Sequence, residues 1–82
     1  MAMSVLMDEI ICQRFAANVR RLRRAKDCTQ EELADLAGVH RTYVSDVERG
    51  ARHPEDARNP SITIVAKFAK ALGVRPGELL DE

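Results

Sequence analysis

At residues 30–49 the chain reads QEELADLAGVHRTYVSDVER, a pattern typical of two short helices joined by a tight turn. Thr29 precedes this segment as a helix N-cap, and Glu32, three residues later, completes a capping box. Gly38 can supply the positive φ angle that the turn needs. The shared interior of two crossing helices needs apolar side chains, which the segment has at Leu33, Ala34, Ala37, Val39, Val44 and Val47. The segment therefore predicts a helix-turn-helix over residues 30–49.

Helical signals also flank this segment. The apolar spacing predicts a first helix over residues 8–26, and Ser61 is an N-cap for a helix over residues 62–72 that ends at Gly73. Pro76 can begin a short last helix. We therefore expect an all-α fold of five helices forming one domain over residues 1–82, with residues 1–7 flexible. The further side chains predicted to face its core are Ile11, Phe15, Val19, Leu22, Leu36, Ile62, Val65, Phe68, Ala69 and Leu72.

Composition limits the classes of function. The 82 residues include 13 basic and 13 acidic side chains, so the formal net charge is zero. The start of the chain turns acidic at Asp8 and Glu9, unlike a signal peptide, and no apolar run approaches the ~20 residues that span a bilayer. Cys12 and Cys28 lack companion ligands for a metal site, and no nucleophile, phosphate loop or carboxylate pair is arranged for catalysis. We expect a cytoplasmic protein that is not an enzyme and needs no metal or cofactor.

The charge is segregated along the chain. Residues 14–26 contain six basic side chains and no acidic one. Such a block can bind a polyanion, or it can be a solvated helix face, and charge alone does not separate these alternatives. Residues 51–60, ARHPEDARNP, are predicted to be a loop in which the unit Ala-Arg-His-Pro recurs as Ala-Arg-Asn-Pro.

The chain resembles the Xre family of helix-turn-helix regulators, which is related to the lambdoid phage repressors. The resemblance covers about residues 15–80 and implies a lambda-repressor-like fold of five helices whose third helix lies in the DNA major groove. Loop 51–60 is longer than the family's usual connection, so loop contacts are the part that the resemblance does not carry over. The matching strings are Leu22-Arg23, Thr29-Gln30-Glu31-Glu32-Leu33-Ala34, Leu36-Ala37-Gly38-Val39, Tyr43-Val44-Ser45, Glu48-Arg49-Gly50, Asn59-Pro60-Ser61 and Ala69-Lys70-Ala71-Leu72-Gly73-Val74.

The third helix, residues 41–49, is the expected recognition helix. Recognition helices read bases with their N-terminal residues, so Arg41 is assigned to guanine and the methyl group of Thr42 to thymine. Asp46 could accept a hydrogen bond from cytosine, or it could only orient Arg41 or Arg49. Tyr43 has two equal alternatives, packing on the domain or contacting DNA. The residues predicted to bind DNA are Gln30, His40, Arg41, Thr42, Tyr43, Ser45, Asp46 and Arg49.

Some of these residues have a second interpretation. Gln30 lies at the first turn of the second helix, where it can face a phosphate or be an ordinary polar surface residue. Ser45 is expected to contact phosphate or to make a short base contact. His40 lies in the turn and is more typical of an exposed cap than of a metal ligand. The resemblance also implies an internal ion pair between Arg23 and Glu48.

Site selection by one small domain needs a second copy, so a homodimer on an inverted-repeat operator is expected, with recognition helices about 34 Å apart. Val74, Leu79 and Leu80 are the predicted interface because a monomer core needs them least, and Val5, Leu6 and Ile10 are the rival surface.

The predicted function is sequence-specific binding of double-stranded DNA by a transcription regulator. Within that class the alternatives are a small repressor, a controller protein of a restriction–modification system, and the antitoxin partner of a toxin. RNA polymerase or a toxin would then be a further partner. A protein-interaction module that has lost DNA binding is the alternative from another class, and the exposed Arg41, Thr42 and Arg49 argue against it.

Overall fold

The computed structural model describes the backbone of residues 2–82 and the side chains of residues 8–82. Within those limits the chain contains α-helices and short 3-10 turns and no strand. The α-helices are α1 (Ala2–Ala25), α2 (Gln30–Ala37), α3 (Arg41–Arg49) and α4 (Ile62–Leu72). Two 3-10 turns, Pro54–Asp56 and Pro76–Leu79, follow α3 and α4 respectively.

The predicted all-α fold is confirmed, but the expected fifth helix is a single 3-10 turn. Pro76 begins it as expected, yet the turn ends at Leu79, too early to become an α-helix. Helix α1 begins at Ala2 rather than near residue 8. The expectation that residues 1–7 are flexible, and the rival dimer surface at Val5 and Leu6, fall on side chains outside the described residues.

Local sequence signals set the ends of the short helices. The Thr29 hydroxyl accepts a hydrogen bond from the Glu32 backbone N–H at 3.0 Å, and the Glu32 carboxylate accepts one from the Thr29 N–H at 2.9 Å. This is the predicted capping box at the start of α2. Gly38 ends α2 with φ 70°, a left-handed conformation that favours glycine, so the turn into α3 is as predicted.

The core is built from the inward faces of all four helices. The rings of Phe15 and Phe68 stack with centroids 5.8 Å apart, joining α1 to α4. Helix α2 packs against α3 and α4, and the second 3-10 turn packs against α4 and α1. The buried apolar residues of this cluster are Phe15, Val19, Leu33, Ala34, Ala37, Val44, Val47, Val65, Phe68, Ala69, Leu72 and Leu79.

Three residues predicted to face the core are exposed instead. Ile11, Leu36 and Ile62 retain 38%, 66% and 89% of their exposure. Each lies at the border of its helix's apolar stripe, where a small rotation of the helix decides between core and solvent.

Leu79 is a correction in the opposite direction. The sequence predicts that the monomer core can dispense with it, but its side chain is fully buried there. Asn18, which is also buried, holds this end of the chain in place by donating to the carbonyl oxygens of Leu79 at 3.1 Å and Asp81 at 2.7 Å. Leu79 is therefore a core residue of the folded chain and not a candidate interface side chain.

Gly50 allows the long loop to return to the helices. A Cβ atom at this position would lie 2.7 Å from the Cα atom of Ala57 and 3.2 Å from the Cβ atom of Ala16. The backbone angle of Gly50 is ordinary, so space is what requires glycine here. The close approach brings loop 51–60 back to the end of α3, beside the candidate site.

Candidate nucleic-acid interface

Helix α3 divides into a buried and an open face. Val44 and Val47 are fully buried, whereas Arg41, Thr42 and Arg49 are exposed. The open face and the start of α2 border a surface cleft of about 520 Å³, which we call the recognition cleft. It is lined by Arg23, Thr29, Gln30, Glu31, Arg41, Thr42, Ser45, Asp46 and Arg49.

Arg41 lies at the exposed N-terminal end of α3, as the sequence predicts. Its side chain is 70% exposed, and its nearest acidic partner is the equally exposed Glu31, at 3.6 Å. A long ion pair between exposed side chains contributes little free energy. The guanidinium is therefore available to a ligand at small cost.

Asp46 faces two arginines, and Arg41 is not one of them. One carboxylate oxygen accepts a hydrogen bond from Arg49 at 2.9 Å, and the other accepts one from Arg58 in the long loop, also at 2.9 Å. Of the two alternatives for Asp46, the structure thus contains the orienting contact with Arg49. Accepting a hydrogen bond from cytosine would require the carboxylate to share or release one of these arginines.

Arg58 was missed by the sequence analysis. The recurrence of Ala-Arg-His-Pro as Ala-Arg-Asn-Pro was the available signal, because it repeats an arginine before each proline of the loop. What could not be seen is that the loop folds back far enough to bring the second arginine against α3.

Gln30, Arg23 and Glu48 form one network below the recognition cleft. The Glu48 carboxylate, which is 4% exposed, accepts hydrogen bonds from Arg23 at 2.6 and 2.9 Å and from the Gln30 amide at 3.1 Å. Arg23 also donates to the Cys28 carbonyl oxygen at 2.7 Å. The hydrogen bond to Glu48 raises the pKa of Arg23, outweighing the opposing effect of burial. The network ties α1 to α2 and α3 and leaves no carboxylate charge unpaired at its centre.

The role of Gln30 is therefore divided. Its side-chain amide is engaged with Glu48, an interaction that the sequence did not predict. The first backbone N–H groups of an α-helix have no acceptor within the helix and attract anions. A phosphate at this position would be held by the start of α2 more than by the Gln30 side chain.

His40 and Tyr43 contribute to the structure around the cleft. The His40 Nδ1 atom caps α3 by accepting a hydrogen bond from the Thr42 backbone N–H at 3.1 Å, which requires a neutral imidazole. The Tyr43 ring lies 6.1 Å from Phe68, tilted by 59°, and burial raises the pKa of its hydroxyl. Packing on the domain is thus the alternative for Tyr43 that the structure contains.

Other kinds of site are not indicated in the described part of the chain. Among residues 8–82, no three histidine, cysteine or acidic side chains come together as metal ligands. None of the helices described has the length and apolar character needed to cross a membrane.

Comparison with known proteins gives consistent matches. The model of a helix-turn-helix family matches residues 19–79. The control protein C.BamHI of Bacillus amyloliquefaciens is 46% identical over 68 residues, covering 82% of this chain and 76% of that protein.

Two solved structures are similar over most of the chain. The restriction–modification controller protein C.AhdI of Aeromonas hydrophila has a TM-score of 0.71 at 41% identity, covering 83% of this chain and 94% of that one. A hypothetical transcription factor from Neisseria has a TM-score of 0.75 at 38% identity, covering 89% of this chain and 75% of that one. The chain belongs to the Xre-like helix-turn-helix family of DNA-binding transcription regulators.

Proposed function

We propose that this protein is a controller-type transcription regulator that binds an inverted-repeat operator as a homodimer, with α3 in the major groove. The observation that carries the proposal is the exposed face of α3, which presents Arg41 and Thr42 at its N-terminal end. Arginine pairs bidentately with guanine, and the threonine methyl group contacts thymine. The restriction–modification role is supported by the similarity to C.BamHI and C.AhdI.

The proposed dimer surface is an apolar groove formed by α1, the start of α4 and the second 3-10 turn. The groove has a volume of about 320 Å³, and its wall includes Ile11, Pro60, Ile62, Pro76 and Leu80. Ile62 is 89% exposed, which leaves a large aliphatic side chain in water unless another surface covers it.

A second copy is the occupant that fits this groove best. An interface around a two-fold axis uses the same patch on both subunits, so one groove per protomer is sufficient. The groove shares no lining residue with the recognition cleft, and α3 can stay open to DNA while the groove is covered. Relative to the sequence prediction, Leu80 remains in the proposed interface, Leu79 is excluded by its burial, and the half-buried Val74 lies outside the groove wall.

Selection of a binding site from random duplexes, followed by gel-shift titration, tests the proposal. The selected site should be an inverted repeat, and its binding should be stronger than that of random DNA by a factor typical of specific regulators, about 10³ or more. A selected site without two-fold symmetry would contradict the dimer model. Equal affinity for selected and random DNA would contradict sequence-specific regulation altogether.

The controller role needs its own experiment, because a phage-type repressor or an antitoxin would bind DNA in the same way. Deletion of the gene in its native host should change transcription of an adjacent restriction endonuclease gene. A change confined to prophage or toxin genes would contradict the controller role while leaving operator binding intact.

A further inference from the structure

The basic block of α1 is not explained by the recognition cleft. Arg20 and Arg24, in the C-terminal half of α1, come together with Arg52, which follows the end of α3. They line a second open cleft of about 360 Å³, which we call the arginine cleft. The block is therefore more than a solvated helix face, because it forms one wall of a concave surface completed by another part of the chain.

The arginine cleft has a large excess of positive charge. Of the residues that line it, all within the described range, five are arginines and only Glu48 is acidic. Glu48 is already paired with Arg23, and Arg49 with Asp46. Among the described side chains, no carboxylate lies within ion-pair distance of Arg20, Arg24 or Arg52. Such crowding of like charge is unfavourable in the unbound protein, and a polyanion would relieve it.

The arginine cleft continues the recognition cleft. The two share Arg23, Gln30, Ser45 and Arg49 as lining residues, so they meet along α3. A duplex seated on α3 carries one negative charge for about every 1.7 Å of its axis. Its backbone would pass the arginine cleft while the bases face Arg41. Guanidinium groups suit this position because they can bind a phosphate with two parallel hydrogen bonds.

We propose that Arg20, Arg24 and Arg52 form a phosphate clamp that binds the DNA backbone beside the base-reading contacts. The proposal rests on the proposed function. It adds a second anchor, built from α1 and the start of the long loop. Because backbone contacts carry no base information, the clamp should strengthen binding to all sequences equally.

The test is the salt dependence of DNA binding by a variant with Arg20→Ala, Arg24→Ala and Arg52→Ala. The slope of log K against log salt should become shallower by about 0.9 for each phosphate that a protomer of the variant fails to neutralise. Operator and random DNA should lose affinity by the same factor. The melting temperature should stay close to that of the parent, since these side chains lack ion-pair partners among the described residues.

The matched control is a variant with Lys67→Ala, Lys70→Ala and Arg75→Ala. It removes the same charge from exposed positions that line neither cleft. Its slope should change much less than that of the cleft variant. Equal slopes for the two variants, or an unchanged slope for the cleft variant, would overturn the clamp and leave only a net-charge effect or no effect. Failure of the parent protein to bind any duplex would instead refute the proposed function.

Discussion

Arg58 of the long loop donates a hydrogen bond to Asp46 of the recognition helix at 2.9 Å, although the two residues are twelve positions apart. Asp46 uses its other carboxylate oxygen for Arg49. The aspartate thereby fastens the loop to the open face of α3. The close packing of Ala57 at Gly50 has the same effect from the other side of the loop.

Removal of this hydrogen bond should loosen the loop without unfolding the protein. We expect Asp46→Ala and Arg58→Ala to increase hydrogen exchange of the loop amides, including those of His53 and Ala57, which donate to backbone carbonyl groups. Both arginines are about half exposed, so global stability should change by only ~0.2–1 kcal/mol. Exchange measured by mass spectrometry or NMR, together with thermal melts, checks both parts.

Arg49→Ala is the control for this experiment, because it leaves the hydrogen bond between Arg58 and Asp46 in place. Its loop amides should exchange as slowly as those of the parent. Loop exchange unaffected by Asp46→Ala would show that Gly50 and its neighbours are sufficient to hold the loop.

Arg41→Ala should reduce discrimination between operator and random DNA. Removal of a bidentate interaction with guanine costs about 1–3 kcal/mol and should relax the preference at one base position. Gel-shift titrations against operator, single-substitution operators and random DNA measure this effect.

Arg75→Ala removes the same charge from an exposed site outside the recognition cleft and should preserve the base preference. An unchanged ratio of specific to random affinity in Arg41→Ala would refute its base-reading role.

Glu48→Ala should destabilise the DNA-free protein. It leaves Arg23, whose side chain is only 14% exposed, without its partner. Breaking such a buried pair costs about 3 kcal/mol or more. For a domain of this size, that corresponds to a fall in melting temperature of roughly 12 °C or more. Differential scanning calorimetry without DNA provides the measurement.

The Glu31–Arg41 pair is the matched comparison, because both of its side chains are about 70% exposed. Glu31→Ala should change the melting temperature very little. If Glu48→Ala melted like the parent but bound DNA weakly, Arg23 would have to be reassigned as a phosphate contact.

Ile62→Asp and Leu80→Asp should each convert the proposed dimer to a folded monomer. A carboxylate in the apolar groove would have to be desolvated on association, which opposes burial of the interface. Sedimentation velocity measures the oligomeric state, and operator affinity should fall in parallel.

Leu36→Asp changes a similarly exposed aliphatic residue that lies outside the groove. This control should remain dimeric and bind the operator normally. Were both groove variants to stay dimeric, the interface would have to lie elsewhere, with the surface that includes Ile10 as the next candidate.

The capping box of α2 should weaken in acid. The hydrogen bond from the Thr29 backbone N–H, and then the contact with its hydroxyl, lowers the pKa of Glu32. A lowered pKa in the folded state means that this stabilisation is complete above the ordinary glutamate pKa of about 4.3 and is lost as pH falls through the lowered value. The stability difference between the parent and Glu32→Gln should therefore shrink below about pH 4.

Chemical denaturation at several pH values measures this difference, and Glu31→Gln controls for carboxylates outside the capping box. A parent-to-variant difference that stayed constant from neutral to acidic pH would contradict the role of the ionised carboxylate.

Local signals in the sequence were enough to define the helix-turn-helix. The capping box at Thr29, the left-handed turn at Gly38 and the buried Val44 and Val47 all depend on hydrogen bonds and spacings within a few residues. Such local interactions are present in the sequence pattern, and the open face of α3 follows from them by helical periodicity. The family resemblance added the pairing of Arg23 with Glu48, which has no local signal.

Packing of the whole chain was needed to establish which of the two neighbours Leu79 and Leu80 is buried, and that Ile62 is exposed. A single 3-10 turn has no repeating pattern to show which side faces the core, and the buried Asn18 sets its position through hydrogen bonds that reach far along the chain. The Arg58–Asp46 hydrogen bond and the arginine cleft likewise join segments that are distant in sequence. Their formation depends on how the loop folds back over Gly50, because tertiary packing determines that path and local propensity does not.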